Sequence, residues 1–123
     1  MAKLDDIIQE LRNELGSDFV AASVVGMDGL AIAGGSVDPE FDATAASARF
    51  ALVMKLAAKV SGKLQLGQVD DNLVTTDRVF ILTRFLGDGS YYWEMAVTKD
   101  ATLGMVRMLM NEYADRLWNA IPH

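Results

Sequence analysis

Apolar residues recur along this chain at two different periods, and the points where the period changes mark out its elements. Leu4, Ile7, Ile8, Leu11 and Leu15 fall at helical spacing, with Asp5, Asp6, Gln9, Glu10, Arg12 and Glu14 between them. Residues 4–15 therefore predict a one-sided helix that Gly16 stops. Residues 19–26 (FVAASVVG) are β-branched and small apolar, and Asp28-Gly29 is a pair that tight hairpins favour, so a first strand turns into a short second one over 30–33. Gly34-Gly35-Ser36 and Val37-Asp38-Pro39-Glu40 then read as a loop suited to a helix entry. A long second helix is predicted over 41–65. From Leu66 the period is two, with Leu66, Gln68, Asp70, Asn72 and Val74 alternating against Gly67, Val69, Asp71, Leu73 and Thr75, which predicts a half-solvated third strand. Thr76-Asp77 makes a turn, and 78–86 (RVFILTRFL) is the most strand-like run, predicted as a central strand. Gly87-Asp88-Gly89-Ser90 turns the chain into a fifth strand over 91–98 (YYWEMAVT). Asp100 or Thr102 can cap a last helix, whose stripe is Leu103, Val106, Met110, Tyr113, Leu117 and Ile121.

The second helix is the anomaly. At about 100° per residue, Val53, Ala46, Leu64, Ala57 and Phe50 share one sector, which is the expected sheet-facing side. Leu52, Leu56 and Ala45 lie to one side of it and Met54, Ala58, Ala51 and Ala43 to the other, so the polar strip shrinks to Thr44, Lys55 and Lys59. Helices with a single apolar stripe, the first and third, can share one face of an antiparallel sheet. The second then has the other face alone, and nothing in the chain covers its flanks. Such a surplus predicts a second chain. The fold class expected is α+β, a five-stranded antiparallel sheet in an αββαβββα arrangement.

Composition narrows the function. The 123 residues suit one domain, 1–123, able to bury a core without staples. Cysteine is absent, which removes disulfides, thiolate metal ligands and cysteine nucleophiles and suits a reducing compartment. A net charge of -6 argues against a nucleic-acid partner and against acidic membranes. The charged amino terminus is no signal peptide, and no apolar run is long enough to span a bilayer, so a cytoplasmic location is expected.

No catalytic, cofactor or metal site is legible. Gly34-Gly35-Ser36 lacks the lysine that a phosphate-cradling loop needs. Asp70 and Asp71, adjacent on a strand, point to opposite faces and make no joint acid–base pair or metal clamp. They read as solvated or edge-protecting acids. The only histidine is the terminal His123, so Ser17, Ser23, Ser36, Ser47, Ser61 and Ser90 have no base. Arg49, Lys55, Lys59 and Lys63 form a positive cluster on the second helix, read either as its solvated edge or as a guide for an acidic partner. Met54, Met105, Met108 and Met110 can lend adaptable packing or contact.

The opening LDDIIQELRNELG, the hairpin FVAASVVGMDGLAIAGG, the Ala-rich helix ending LAAKVSGKLQLGQ, the stretch LVTTDRVFILTRFLGDGSYYWEMAVT and the closing DATLGMVRMLMNEYADRL follow one another in an order and spacing that resembles the roadblock family. That family comprises dynein light chains and bacterial small-GTPase regulators of the MglB type. The resemblance runs from Leu4 to Ile121. It implies strand order 2-1-5-4-3, helix 2 on one face with helices 1 and 3 on the other, and a homodimer through helix 2 and strand 3. It also implies a non-enzymatic adaptor or regulator of a Ras-like small GTPase, without a cofactor, acting by reshaping the GTPase; Arg49 is accordingly not read as an arginine finger. The interface expected from the helix surplus and this resemblance comprises Ala45, Arg49, Leu52, Leu56 and Lys59, then Ala51, Met54 and Ala58, with Val69, Asp71 and Leu73 from strand 3. Two other readings are a PAS- or GAF-like module holding a small ligand between sheet and helix, and a structural subunit of a larger assembly.

Overall fold

The computed structural model describes residues 2–122, apart from the side chains of Ala2 and Thr44. His123 lies outside the described residues, as does the side chain of Thr44. In chain order the elements are α1 (Ala2–Leu15), a 3-10 turn (Gly16–Asp18), β1 (Phe19–Gly26), β2 (Ala31–Ser36), α2 (Ala43–Lys63), β3 (Asn72–Thr75), β4 (Val79–Leu86), β5 (Tyr91–Thr98) and α3 (Leu103–Ala120). The strands form one antiparallel sheet in the order β2-β1-β5-β4-β3. This is the order that the resemblance implied; β4 is internal, and β5 rather than β4 is the middle strand.

One face of the sheet carries most of the core. Leu4, Ile7, Ile8 and Leu11 of α1 and Val106, Met110, Tyr113 and Leu117 of α3 close over Trp93, Met95 and Val97 of β5, with Val24 and Leu82 beside them. Each large side chain so buried contributes about 1.5–3 kcal/mol before entropy is charged against it. The helical stripes read from spacing are the ones buried. Across this seam Glu10 accepts two hydrogen bonds from Arg116, each 2.9 Å, which hold the carboxyl below its ordinary pKa.

On the other face, α2 lies across β1, β2, β4 and β5. It begins at Ala43 because the Asp42 carboxylate accepts the Ala45 N–H at 3.1 Å. Its rotation differs from expectation. Ser47, Ala51 and Met54 face the sheet and are buried, whereas Val53 and Leu64 are exposed. The small Ser47 and Ala51 let the helix sit close, and the Ser47 hydroxyl donates to its own helix at Ala43 O, 2.8 Å away, so it enters the interface with its proton already placed. Lys55, expected on the polar strip, is half-buried and donates to Met27 O at 2.6 Å, tying α2 to the β1–β2 turn.

Two strand boundaries also differ. β2 continues through Gly34-Gly35-Ser36, paired with Ser23, Ala22 and Ala21, instead of ending before them. A Cβ at Gly34 would stand 2.9 Å from Ala22 O, so glycine there permits the close pairing. β3 is only four residues, and 66–71 is loop despite its alternation. Gln65 and Gly67 take positive φ, 55° and 96°, which turns the chain away from the sheet until Asn72 reaches Thr83.

Candidate functional site

The outward face of α2 is apolar. Leu52 is 65% exposed, Leu56 62% and Leu64 63%, with Val53 and Val60 between them and Leu66 just beyond the helix. These follow one another at helical spacing directly opposite Ser47 and Met54. Arg49, Lys59 and Lys63 are exposed on the same side, so the stripe carries cations along it. An exposed apolar stripe of this length on an otherwise acidic chain makes this face the candidate contact surface.

Leu52, Leu56, Arg49 and Lys59 therefore share the exposed side of α2. Ala45 and Ala58 are half-buried at its margins. Ala51 and Met54 are a correction to the expected interface: they are buried against the sheet with Val25 and Tyr92, and a second chain docking on the folded surface does not reach them. Sequence reasoning missed Val53, Val60 and Leu64. The signal was present in their spacing, i, i+7, i+11, but so many apolar positions surround the helix that spacing did not say which sector faced out.

At the far edge of the sheet, β3 pairs with β4 on one side alone. Val69 packs against the α2-side cluster and Leu73 against the α1/α3 core. Asp71 is neither a free acid nor part of a strand: it receives two hydrogen bonds from Arg107 of α3, at 2.9 and 3.2 Å, which raise the guanidinium pKa further. This pair pins the loop that leads into β3. Of the methionines, Met54 and Met110 are core, while Met105 and Met108 are exposed on α3.

Beneath α2 lies a polar line that the sequence reading did not single out. Glu94 of β5 is paired across the sheet with Ser23 of β1 and Thr83 of β4, and all three are buried. Strand alternation places them on the α2 side, since their neighbours at two-residue spacing, Tyr92 and Ala96, pack there. Glu94 Oε2 and Ser23 Oγ find no hydrogen-bond partner among the described residues, and burial pushes the Glu94 carboxyl up to about 7. The signal for it was a glutamate at an inward position of YYWEMAVT.

The clefts on the molecule are open at its surface. Two of them, of about 610 and 620 Å³, lie at the ends of the sheet, one lined by Val37, Phe41 and Arg78, the other by Ala58, Gly67 and Phe85. Between α2 and the sheet the space is taken by Ala51, Met54, Phe50 and Val74, which does not favour a ligand-holding module there. Among the described residues no cluster of three metal-ligating side chains occurs, and no helix is long and apolar enough to cross a membrane.

No protein-family model matches the chain, and no curated protein matches it. Solved structures do. MglB of Myxococcus xanthus superposes with a TM-score of 0.84 at 13% identity, covering 97% of this chain and 94% of that one. A Roadblock/LC7 domain from Streptomyces avermitilis gives 0.80 at 17% identity, covering 90% and 91%. A structure described as MglB with tetrameric arrangement gives 0.81 at 14% identity, covering 97% and 90%. With three helices, strand order 2-1-5-4-3 and the lone α2 on one face, this chain has the fold of the Roadblock/LC7 domain and of MglB.

Proposed function

We propose that the chain is a non-enzymatic, homodimeric adaptor that binds a Ras-like small GTPase and regulates its nucleotide cycle. The observation that carries this reading is the outward stripe of α2, Leu52, Leu56, Val60 and Leu64, which the chain's own fold leaves in water. Apolar area removed from water contributes about 25 cal/mol per Å², so covering this stripe is favourable enough to offset part of the cost of association. In the dimer the β3 edges of two copies continue one sheet and the two α2 helices lie against each other, with Leu52 and Leu56 in contact. Arg49, Lys59 and Lys63 remain at the rim, where positive charge speeds encounter with an acidic partner surface more than it adds affinity. The fold likeness to MglB supports a regulatory role.

The test is binding of the purified chain to small GTPases encoded near it in its genome, each loaded with a non-hydrolysable GTP analogue or with GDP, alongside turnover measured with and without the chain. The expected result is binding to one GTPase that depends on its nucleotide, accompanied by a changed rate of hydrolysis or product release. Binding indifferent to nucleotide would support a purely structural subunit instead, and no binding to any of them would overturn the proposal.

A further inference from the structure

β2 is the second edge of the sheet, and it is open. Val37, just beyond it, donates its N–H to Val20 O at 2.9 Å, and in an antiparallel ladder such inward groups alternate with outward ones. The backbone groups of Gly34 and Ser36 accordingly point away from β1. Edge strands are ordinarily blunted by charge, proline or shortness, yet Ala31–Ser36 (AIAGGS) has no charged residue and no proline and is longer than β3. Ile32 stands exposed upon it.

Clefts open on both sides of this edge. The one toward α1, about 320 Å³, is bounded by Asp5, Ile8, Gln9 and Arg12 on the helix and by Gly34 and Gly35 on the strand. The two glycines give it a floor without side chains, so another backbone can approach to ladder distance. Its wall is a helix running beside an edge strand, the arrangement in which added strands are held by main-chain hydrogen bonds and side-chain pockets. That wall carries one acid, Asp5, and two turns further along one cation, Arg12. Arg12 lies over the Phe19 ring, 6.0 Å from its centre, with no ion pair among the described residues. Gln9, by contrast, is engaged with Asn13 at 3.1 Å.

From this geometry we propose that the outer edge of β2, with the groove beside α1, receives an extended segment of a partner protein as an added strand, an acidic side chain of that segment lying over Arg12. An unpaired ladder is complemented only by another extended backbone, which sets the conformation of the occupant. The glycine floor sets the size of its side chains, and Arg12 sets their charge. The surface lies at the opposite edge of the sheet from β3 and does not depend on the GTPase reading.

The probe is a short fluorescent peptide of alternating threonine and valine closing on two glutamates, compared with the same peptide closing on two lysines, each titrated against the full chain. Amide hydrogen exchange is followed by NMR. Tighter binding of the acidic peptide is expected, with slowed exchange at Gly34 and Ser36. Ile32→Lys, which puts a charge on the open edge, should weaken binding of both peptides by blocking strand addition, and Arg12→Glu should weaken the acidic peptide by about tenfold, the scale of one lost charge-assisted contact, and reverse the preference toward the lysine peptide. If Ile32→Lys fails to fold, the charge reversal at exposed Arg12 still decides. Failure of the acidic peptide to bind overturns the proposal, as does protection mapping to β3 or α2 or the same preference in Arg12→Glu. Protection of Gly34 and Ser36 in the chain alone, growing with protein concentration, also overturns it and makes a second copy the occupant.

Discussion

Replacing Glu94 by glutamine should remove a pH dependence of stability that the fold builds into the α2–sheet interface. Glu94 is 2% exposed, with Ser23 and Thr83 as its cross-strand neighbours and Ser47, Ala51 and Met54 facing the sheet from α2 above. Tyr92 is the other titratable group on that face, and no cation among the described residues pairs with Glu94; Lys55 is spent on Met27 O. Burial pushes the carboxyl from 4.5 up to about 7. The folded chain therefore holds a proton that the unfolded chain releases, and this contribution is complete below 4.5 and lost as pH rises through about 7. The two values are separated by enough to make the loss about 3 kcal/mol at full extent. Glutamine keeps the shape and cannot ionise. Urea denaturation from pH 5 to pH 8, at fixed protein concentration so that association does not intrude, should show the wild type losing stability with rising pH relative to Glu94→Gln, which overtakes it above neutrality. His123 and the surface carboxylates are common to both proteins and cancel in the difference. Parallel pH profiles would refute the reasoning, because they would mean that Glu94 titrates alike in the folded and unfolded chain.

Leu52→Glu or Leu56→Glu should convert the proposed dimer to monomer in sedimentation at tens of micromolar, whereas Lys59→Glu at the rim should leave it assembled; a wild-type chain that sediments as a monomer would remove the premise. Gly87→Ala should lower stability by about 1–3 kcal/mol, because Gly87 has φ +55° and an added Cβ would clash with the Trp118 ring, and thermal denaturation reads the loss.

Much of this protein is readable from local sequence, because helix and strand periods are local properties. The stripes of α1 and α3 were buried as spaced, and the first and fifth strands occupy the residues expected, since in each a run of apolar residues is closed at both ends by turn chemistry. The order of the elements, the hairpin at Asp28-Gly29 and the assignment of α1 and α3 to one face came from the same signals, as did the surplus on α2. Tertiary structure decided the rest. Alternation over 66–75 was no guarantee of a strand: a ladder needs a partner within reach, and the positive φ at Gln65 and Gly67 holds the chain off β4 until Asn72. Gly34-Gly35-Ser36 looked like a loop and is strand, because β1 lies close enough there that absent side chains are an advantage. The rotation of α2 could not be read from its own residues. A helix apolar on every side has no preferred face until a sheet selects one, and the sheet selected the small residues Ser47 and Ala51 with Met54, which fit close against it. That choice turned the bulky Leu52, Leu56 and Leu64 outward, so the surface proposed to meet partners was set by packing on the opposite side of the same helix.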